Sequence, residues 1–548
     1  MRLALLLLFA GAARAQTVSM WPVDSLVKIF RDDAVGTSRA EDAPWLVARN
    51  GHASLQFALR SNSPLTAVRA TVAIDGALTA EARRVGYVPV HANVPDTAAT
   101  ELVHVAPAKF PDPLFEEGTF TIPGNETTAL WITVFAPAST TPGAYKGNLT
   151  LRVSNADVAV ASFRIRVTEA TVPAKQTLKV SNWFYFDEAA MSPYFDVKDK
   201  PEKLWELLGN ISRVAAEHKQ NVFLTPVLSL TDAHRNAQQQ IEYDFPRLDR
   251  FVDIVTTAGA MELIEGSHLI ERAGGYDGPL KVPVLDVDPS GAVTRQQLDP
   301  DDPRAAPRLT SFLTALYAHL QEKGWLDRYV QHVLDEPHGK EPPVYLRYAK
   351  LIHAALPGVR TIDAFDQPSG EWVGSACDIR VLQLGKCDSD IETARAEQAW
   401  FYTCLFPRGA YPNRFIDFPL LKTRLLHWLN FRYGLSGYLH WGGDSWGANP
   451  YEVTELGLEV GAPVGGALPA GDAFVTYPWR EKNSIHSSIR FEAMRDGIED
   501  YELLHALAAR QPEKAMRIAK KAVPSFTGYV RDVTAFRKLQ AELLTSAP

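Results

Sequence analysis

Arg328 to Lys340 reads RYVQHVLDEPHGK. It is a short apolar run with β-branched residues that halts at two adjacent carboxylates, Asp335 and Glu336, and then Pro337. Apolar bulk ending in a breaker predicts a buried strand. Two acids at the end of a buried strand are costly unless solvated or paired. At the carboxyl end of a parallel strand in a barrel they face the mouth where catalytic groups gather. An isolated Asp-Glu-Pro is more ordinarily a turn acid ahead of a helix-starting proline. The surroundings must therefore decide.

Around that stretch, short apolar runs alternate with helical patterns. Strands are predicted over residues 179–186, 221–227, 261–268, 328–334, 360–365, 379–384, 400–406 and 437–441. Helices are predicted over 201–218, 245–258, 305–323, 344–356, 391–398, 420–433 and 488–510, with a small β excursion over 281–297 that turns at Pro289-Ser290-Gly291. Eight such units predict a (β/α)8 TIM barrel with the acid pair ending its fourth strand. Gly442 to Ser487 is then a long loop before the last barrel helix, on the catalytic side.

The chain before this region has a different grammar. Leu46–Asn62, Ala67–Asp75, Ala129–Ala136, Tyr145–Val153 and Val158–Val167 read as strands, punctuated by Ser63-Pro64, Pro123-Gly124-Asn125 and Pro142-Gly143. This predicts an N-terminal β-sandwich over 16–172 and a catalytic barrel with C-terminal helices over 173–548. A chain of 548 residues has room for both, and 46% apolar residues supply the cores.

Met1 to Ala15 reads MRLALLLLFAGAARA, an early Arg, an apolar run and a small-x-small end. This is the pattern of a secretory signal peptide, with Gln16 as the expected mature start and a secreted or periplasmic destination. No other run is long and apolar enough to span a bilayer, so no membrane association is expected after cleavage. The net charge of −8, with no basic tract, argues against nucleic acid as a partner. The three cysteines, Cys377, Cys387 and Cys404, show no zinc or redox spacing. No nucleophile elbow, HExxH, P-loop or dinucleotide fingerprint is present, so neither a metal nor a cofactor is expected.

At the carboxyl ends of the candidate strands stand Trp183, Tyr185, Glu265, His268, Asp363, Gln383, Tyr402, Trp441, Asp444 and Trp446, besides Asp335 and Glu336. Acids and flat rings together suit a sugar, whose hydroxyls bond carboxylates and whose apolar faces stack on rings. Paired acids are the working parts of glycoside hydrolysis, and one version uses the substrate's own acyl group as nucleophile. Arg490, Arg495, Asp496 and Asp500 share a helix and read as structural ion pairs.

Three stretches carry a resemblance: VLDEPHG (333–339), GYLHWGGDSW (437–446) and SSIRFEAMRDGIEDYELL (487–504). With the hairpin PGAYKGNLTL (142–151), they make the mature chain resemble glycoside hydrolase family 123. The resemblance implies a β-sandwich followed by a (β/α)8 barrel. It implies a retaining β-N-acetylgalactosaminidase whose substrate acetamido group is the nucleophile, and a glycan or glycoconjugate as partner. The family's acid pair falls on Asp335, which would orient the acetamide, and Glu336, which would be the general acid/base. Two other readings stay open: a barrel glycosidase on a different sugar with a protein nucleophile such as Glu265 or Asp363, and a non-catalytic carbohydrate-binding protein.

Overall fold

A computed structural model describes residues 17–36, 43–367, 370–387, 399–457 and 467–548. The expected signal peptide and the expected helix over 391–398 lie outside the described residues.

The N-terminal region is two five-stranded sheets. One runs, in spatial order, Val18–Val23, Gly51–Ser61, Thr127–Ala136, Thr79–Val90 and Ala108–Phe115. The other runs Trp45–Arg49, Ala156–Thr171, Gly143–Val153, Leu65–Ile74 and Phe120–Ile122. Alternation along each strand turns one set of side chains inward, and Leu55, Phe57 and Leu59 of one sheet share a core with Leu149, Leu151 and Ile165 of the other. The stretch 46–62, expected as one strand, is two strands in different sheets. Asn50, with φ of +56°, makes the break, and Asn is among the few residues that adopt that conformation readily. The strands at Thr79–Val90 and Ala108–Phe115 escape sequence reading. Pro89, Pro111 and Pro113 interrupt their pattern, as prolines do at sheet edges and bulges.

The second region is an eight-stranded parallel sheet curled into a nearly closed barrel. Its strands are Lys179–Asn182, Val222–Thr225, Leu263–Gly266, Tyr329–Gln331, Arg360–Phe365, Ile379–Gln383, Trp400–Tyr402 and Gly437–His440. They lie in the order first, eighth, seventh and so on down to second. The first and second strands share no ladder. Asn221 bridges them: its Oδ1 accepts from the Val180 N–H at 2.9 Å and its own N–H donates to the Val180 carbonyl at 3.3 Å. Helices follow the first four strands at Pro201–Glu217, Pro246–Ala258, Ala305–Glu322 and Pro342–Ala355. After the fifth strand there is a single helical turn, Gly370–Val373, so a full-length helix after every strand is not seen among the described residues. Between the third strand and its helix the excursion is a hairpin, Leu280–Val287 with Val293–Leu298.

The helix Ile489–Ala508 lies between the two regions, capped by Ser488, whose hydroxyl accepts from the Phe491 N–H. It is buried on nearly every side, charges included. Arg490 pairs with Asp112 through two bonds of 2.8 and 2.9 Å, and both side chains are fully buried. Glu492 holds Arg83 and Thr133, Glu499 holds His52, and Arg424 of helix Leu420–Tyr433 holds Asp496 and Asp500. A buried charge stays folded only when paired in this way.

Candidate active site

The fourth strand is shorter than its apolar pattern suggests, because the backbone leaves the ladder after Gln331. The Val333 N–H donates to the side chain of Asp363 instead, at 3.0 Å, and the Glu336 N–H donates to the Ala364 carbonyl at 3.2 Å. Glu336 then adopts φ of +40°. A side chain in that left-handed conformation costs on the order of 1–3 kcal/mol, and such strain gathers at functional sites. In a regular strand, neighbouring side chains point to opposite faces. The left-handed residue, past the end of the strand, is free of that alternation.

Both residues are half-buried. Burial raises the pKa of Asp335; the charges of Arg272 and His332 pull it back down. Burial raises Glu336 further, the neighbouring Asp335 adds to the rise, and the hydroxyl of Tyr402, which donates to Glu336 Oε1, works against it. The pair titrates as a unit, and its single proton near neutrality is held best on Glu336. The arrangement supplies one proton donor beside one anion.

Beneath the pair lies a buried charge relay. His332 places Nε2 2.7 Å from Glu265 and Nδ1 3.2 Å from Asp363, and none of the three is exposed. Burial alone would lower the His332 pKa, but the two carboxylates outweigh it and raise it to about 10. Glu265 also accepts from Ser181 Oγ at 2.6 Å and Trp183 Nε1 at 2.9 Å, and Asp363 accepts from the Tyr345 hydroxyl at 2.8 Å. Glu265, Asp363 and Trp183 are expected to meet substrate, but the structure buries them, with Glu265 bonded to Trp183 and His332 and Asp363 to His332 and Tyr345. The His268 ring lies tilted against His332, with centroids 4.3 Å apart. The ligand atoms of His268, His332 and Asp363 lie within 4.8 Å of one another, close enough for a metal. Yet both nitrogens of His332 are engaged by carboxylates, and an imidazolium has no lone pair to offer a cation.

His268, Arg272, Tyr276 and Asp335 line a cleft of about 300 Å³. Arg272 donates to the carbonyls of Asp335 and Glu336 at 2.8 and 2.9 Å and pairs with Glu341. Tyr276 is 39% exposed, stacks at 4.4 Å on His338 and donates to Asp366 at 3.0 Å. Tyr185 is half-buried, and its N–H donates to Asp444 at 3.0 Å. Asp444 is buried, which raises its pKa to about 8. Trp441 is half-buried at the end of the eighth strand, and Gln383 is 9% exposed at the end of the sixth. Trp446, expected on the sugar-facing wall, is only 1% exposed. Its Nε1 donates to the Thr476 carbonyl at 2.7 Å, and it packs on Tyr194 and Phe195. Its ring is core.

Sequence reading missed Arg272, Tyr276, His332 and Tyr345. His332 was within reach, since a histidine inside a buried strand needs polar partners. Arg272 and Tyr276 sit in the glycine-rich loop ERAGGYDG (271–278), which carries no motif.

The sequence model of the glycoside hydrolase 123 catalytic domain matches residues 183–507. Among solved structures, a family 123 glycoside hydrolase from Clostridium perfringens, described for glycolipid glycan hydrolysis, superposes with a TM-score of 0.73. The two are 15% identical, over 97% of this chain and 96% of that one. A family 39 glycoside hydrolase from Bacteroides cellulosilyticus gives a TM-score of 0.35 at 11% identity, over 83% of this chain and 81% of that one. A family 5 xyloglucanase from Bacteroides ovatus gives 0.31 at 8%, over 84% and 99%. No curated protein matches in sequence.

Proposed function

This chain belongs to glycoside hydrolase family 123, and on that premise we propose that it cleaves N-acetylhexosaminides, of the β-N-acetylgalactosaminide kind, with retention and with the substrate's 2-acetamido group as nucleophile. The observation that carries the reading is the acid pair itself. Two adjacent carboxyls follow the fourth strand, Asp335 lining the cleft and Glu336 bonded to Tyr402, with the proton favoured on Glu336. The carboxylates that could have served as protein nucleophile, Glu265 and Asp363, are fully buried and bonded to His332.

Glu336 donates its proton to the glycosidic oxygen as the C1–O bond breaks. The acetamide carbonyl oxygen closes on C1, and Asp335, anionic, accepts from the acetamide N–H and stabilises the positive oxazolinium. Glu336, now a base, takes a proton from water, which opens the ring at C1. Two inversions give net retention. The (β/α)8 pattern would place these groups at the usual catalytic face, and the exposed Tyr276 ring would offer a sugar a stacking surface. Export through the Met1–Ala15 signal would put the enzyme among exogenous glycans. Residence in the cytoplasm with an intact N-terminus, found by fractionation and N-terminal sequencing, would refute export.

The test is turnover of aryl glycosides with and without the 2-acetamido group, with the product anomer read by NMR. Cleavage is expected only with the group present, with retention, and with a thiazoline inhibitor bound more tightly than product. Equal turnover of 2-hydroxy glycosides, with a covalent 2-fluoro adduct, overturns the reading. Asp366, whose charge also acts on both dyad acids, is the first carboxylate to search for that adduct.

A further inference from the structure

The acid pair works only if two consecutive side chains reach one ligand, and a strand does not allow that. The kink at Glu336, φ +40°, is what permits it. One side chain holds that kink from below. Arg272 is 8% exposed. Its Nη1 donates to the Asp335 carbonyl at 2.8 Å and its Nη2 to the Glu336 carbonyl at 2.9 Å, so one planar fork grips both peptide units of the turn. Nε donates at 3.1 Å to Glu341, which also accepts from the His338 N–H at 3.0 Å and so ties the far side of the turn to the same guanidinium. Arg272 is itself braced, because Glu271–Arg272 pairs antiparallel with Leu280–Lys281 of the excursion hairpin. That hairpin is anchored by Asp286, which takes Arg235 and Arg308.

We propose that Arg272 is a positioning residue: its fork on the two dyad carbonyls keeps Asp335 and Glu336 turned to the same mouth, and the hairpin 280–298 exists to hold it there. The proposal rests on the functional reading of the dyad. Lysine cannot replace the fork, since an ammonium is a point donor and lacks the fixed planar pair. Without the fork the turn relaxes toward extended backbone, and Glu336 loses its aim at the leaving oxygen. The carbonyl grip also keeps a positive charge beside Asp335, which favours its anionic form.

The experiment uses the full chain with Arg272→Met and Arg272→Lys beside wild type. Each is assayed on two aryl glycosides of the sugar that wild type cleaves, one with a poor and one with a good leaving group. The expected result is KM within about threefold of wild type and kcat down by roughly 10²-fold on the poor leaving group, with a smaller loss on the good one, because protonation by Glu336 matters most when the leaving group is poor. Millimolar guanidinium should restore part of the Arg272→Met activity. A folded variant with wild-type kcat overturns the proposal. So does an equal loss on both substrates without rescue, which marks a merely structural residue, and so does a loss confined to KM, which marks a substrate contact. If Arg272→Met fails to fold, Arg272→Lys gives the same leaving-group contrast. Because the sugar is whichever one wild type turns over, a failure of the acetamido reading leaves this test intact.

Discussion

At the residue scale, Glu336 ties activity to stability. Its folded pKa is raised, to about 8, while the unfolded side chain titrates in the ordinary range, near about 4.3. Between those values the folded state holds a proton that the unfolded state has released, so stability falls as pH rises through this window. Glu336→Gln removes that term. Its melting temperature relative to wild type should rise progressively from pH 5 to pH 8.5, while turnover of a poor leaving group falls by roughly 10²–10⁴-fold. A constant offset in melting temperature across that range, measured by calorimetry, would show that Glu336 is not held protonated. The same raised pKa sets the alkaline limb of kcat/KM, since an ionised Glu336 has no proton to donate.

At the element scale, the segment after the eighth strand turns inward. Asp444, beside Tyr185, is 3% exposed and Trp446, with only Ser445 between them, is 1% exposed, although both stood as sugar contacts. Trp446→Ala removes a filled ring and its bond to Thr476, which is worth about 3–5 kcal/mol in a core that cannot collapse. Its melting temperature should drop sharply while KM on whichever glycoside is cleaved stays near wild type. A KM effect with an unchanged melting temperature would return Trp446 to the sugar wall.

At the scale of the whole molecule, helix Ile489–Ala508 packs between the N-terminal sheets and the barrel, and Val85, Phe110 and Trp131 of the sheets share one hydrophobic cluster with Phe491 and Met494 of that helix. Arg490, Glu492 and Glu499 find their partners in Asp112, Arg83 and His52 of the N-terminal sheets. Removing one partner of a buried pair costs about 3–5 kcal/mol. A fragment of residues 173–548 leaves Arg490 without its carboxylate and takes Arg83 from Glu492 and His52 from Glu499, so it should not give a cooperative melt. The full chain should unfold in one transition by circular dichroism. An independently folded, active fragment would show that the sheets are dispensable.

The order of the elements, the parallel sheet and the acid pair are legible in the residues alone. Apolar periodicity, turn residues and a charged end to an apolar run are local signals, written within a few residues of what they specify. The aim of the two carboxyls was not local. It depends on Arg272, which lies 63 positions from Asp335 and reaches it only because a hairpin folds back across the mouth. The relay of Glu265, His332 and Asp363 draws on the third, fourth and fifth strands and their ends, and no spacing in one strand announces it. Position at the strand ends put Glu265, Asp363 and Trp446 at the mouth, but it cannot say how deep each lies. Depth is set by which neighbours fill the space above a side chain, and that is decided only when distant segments pack together.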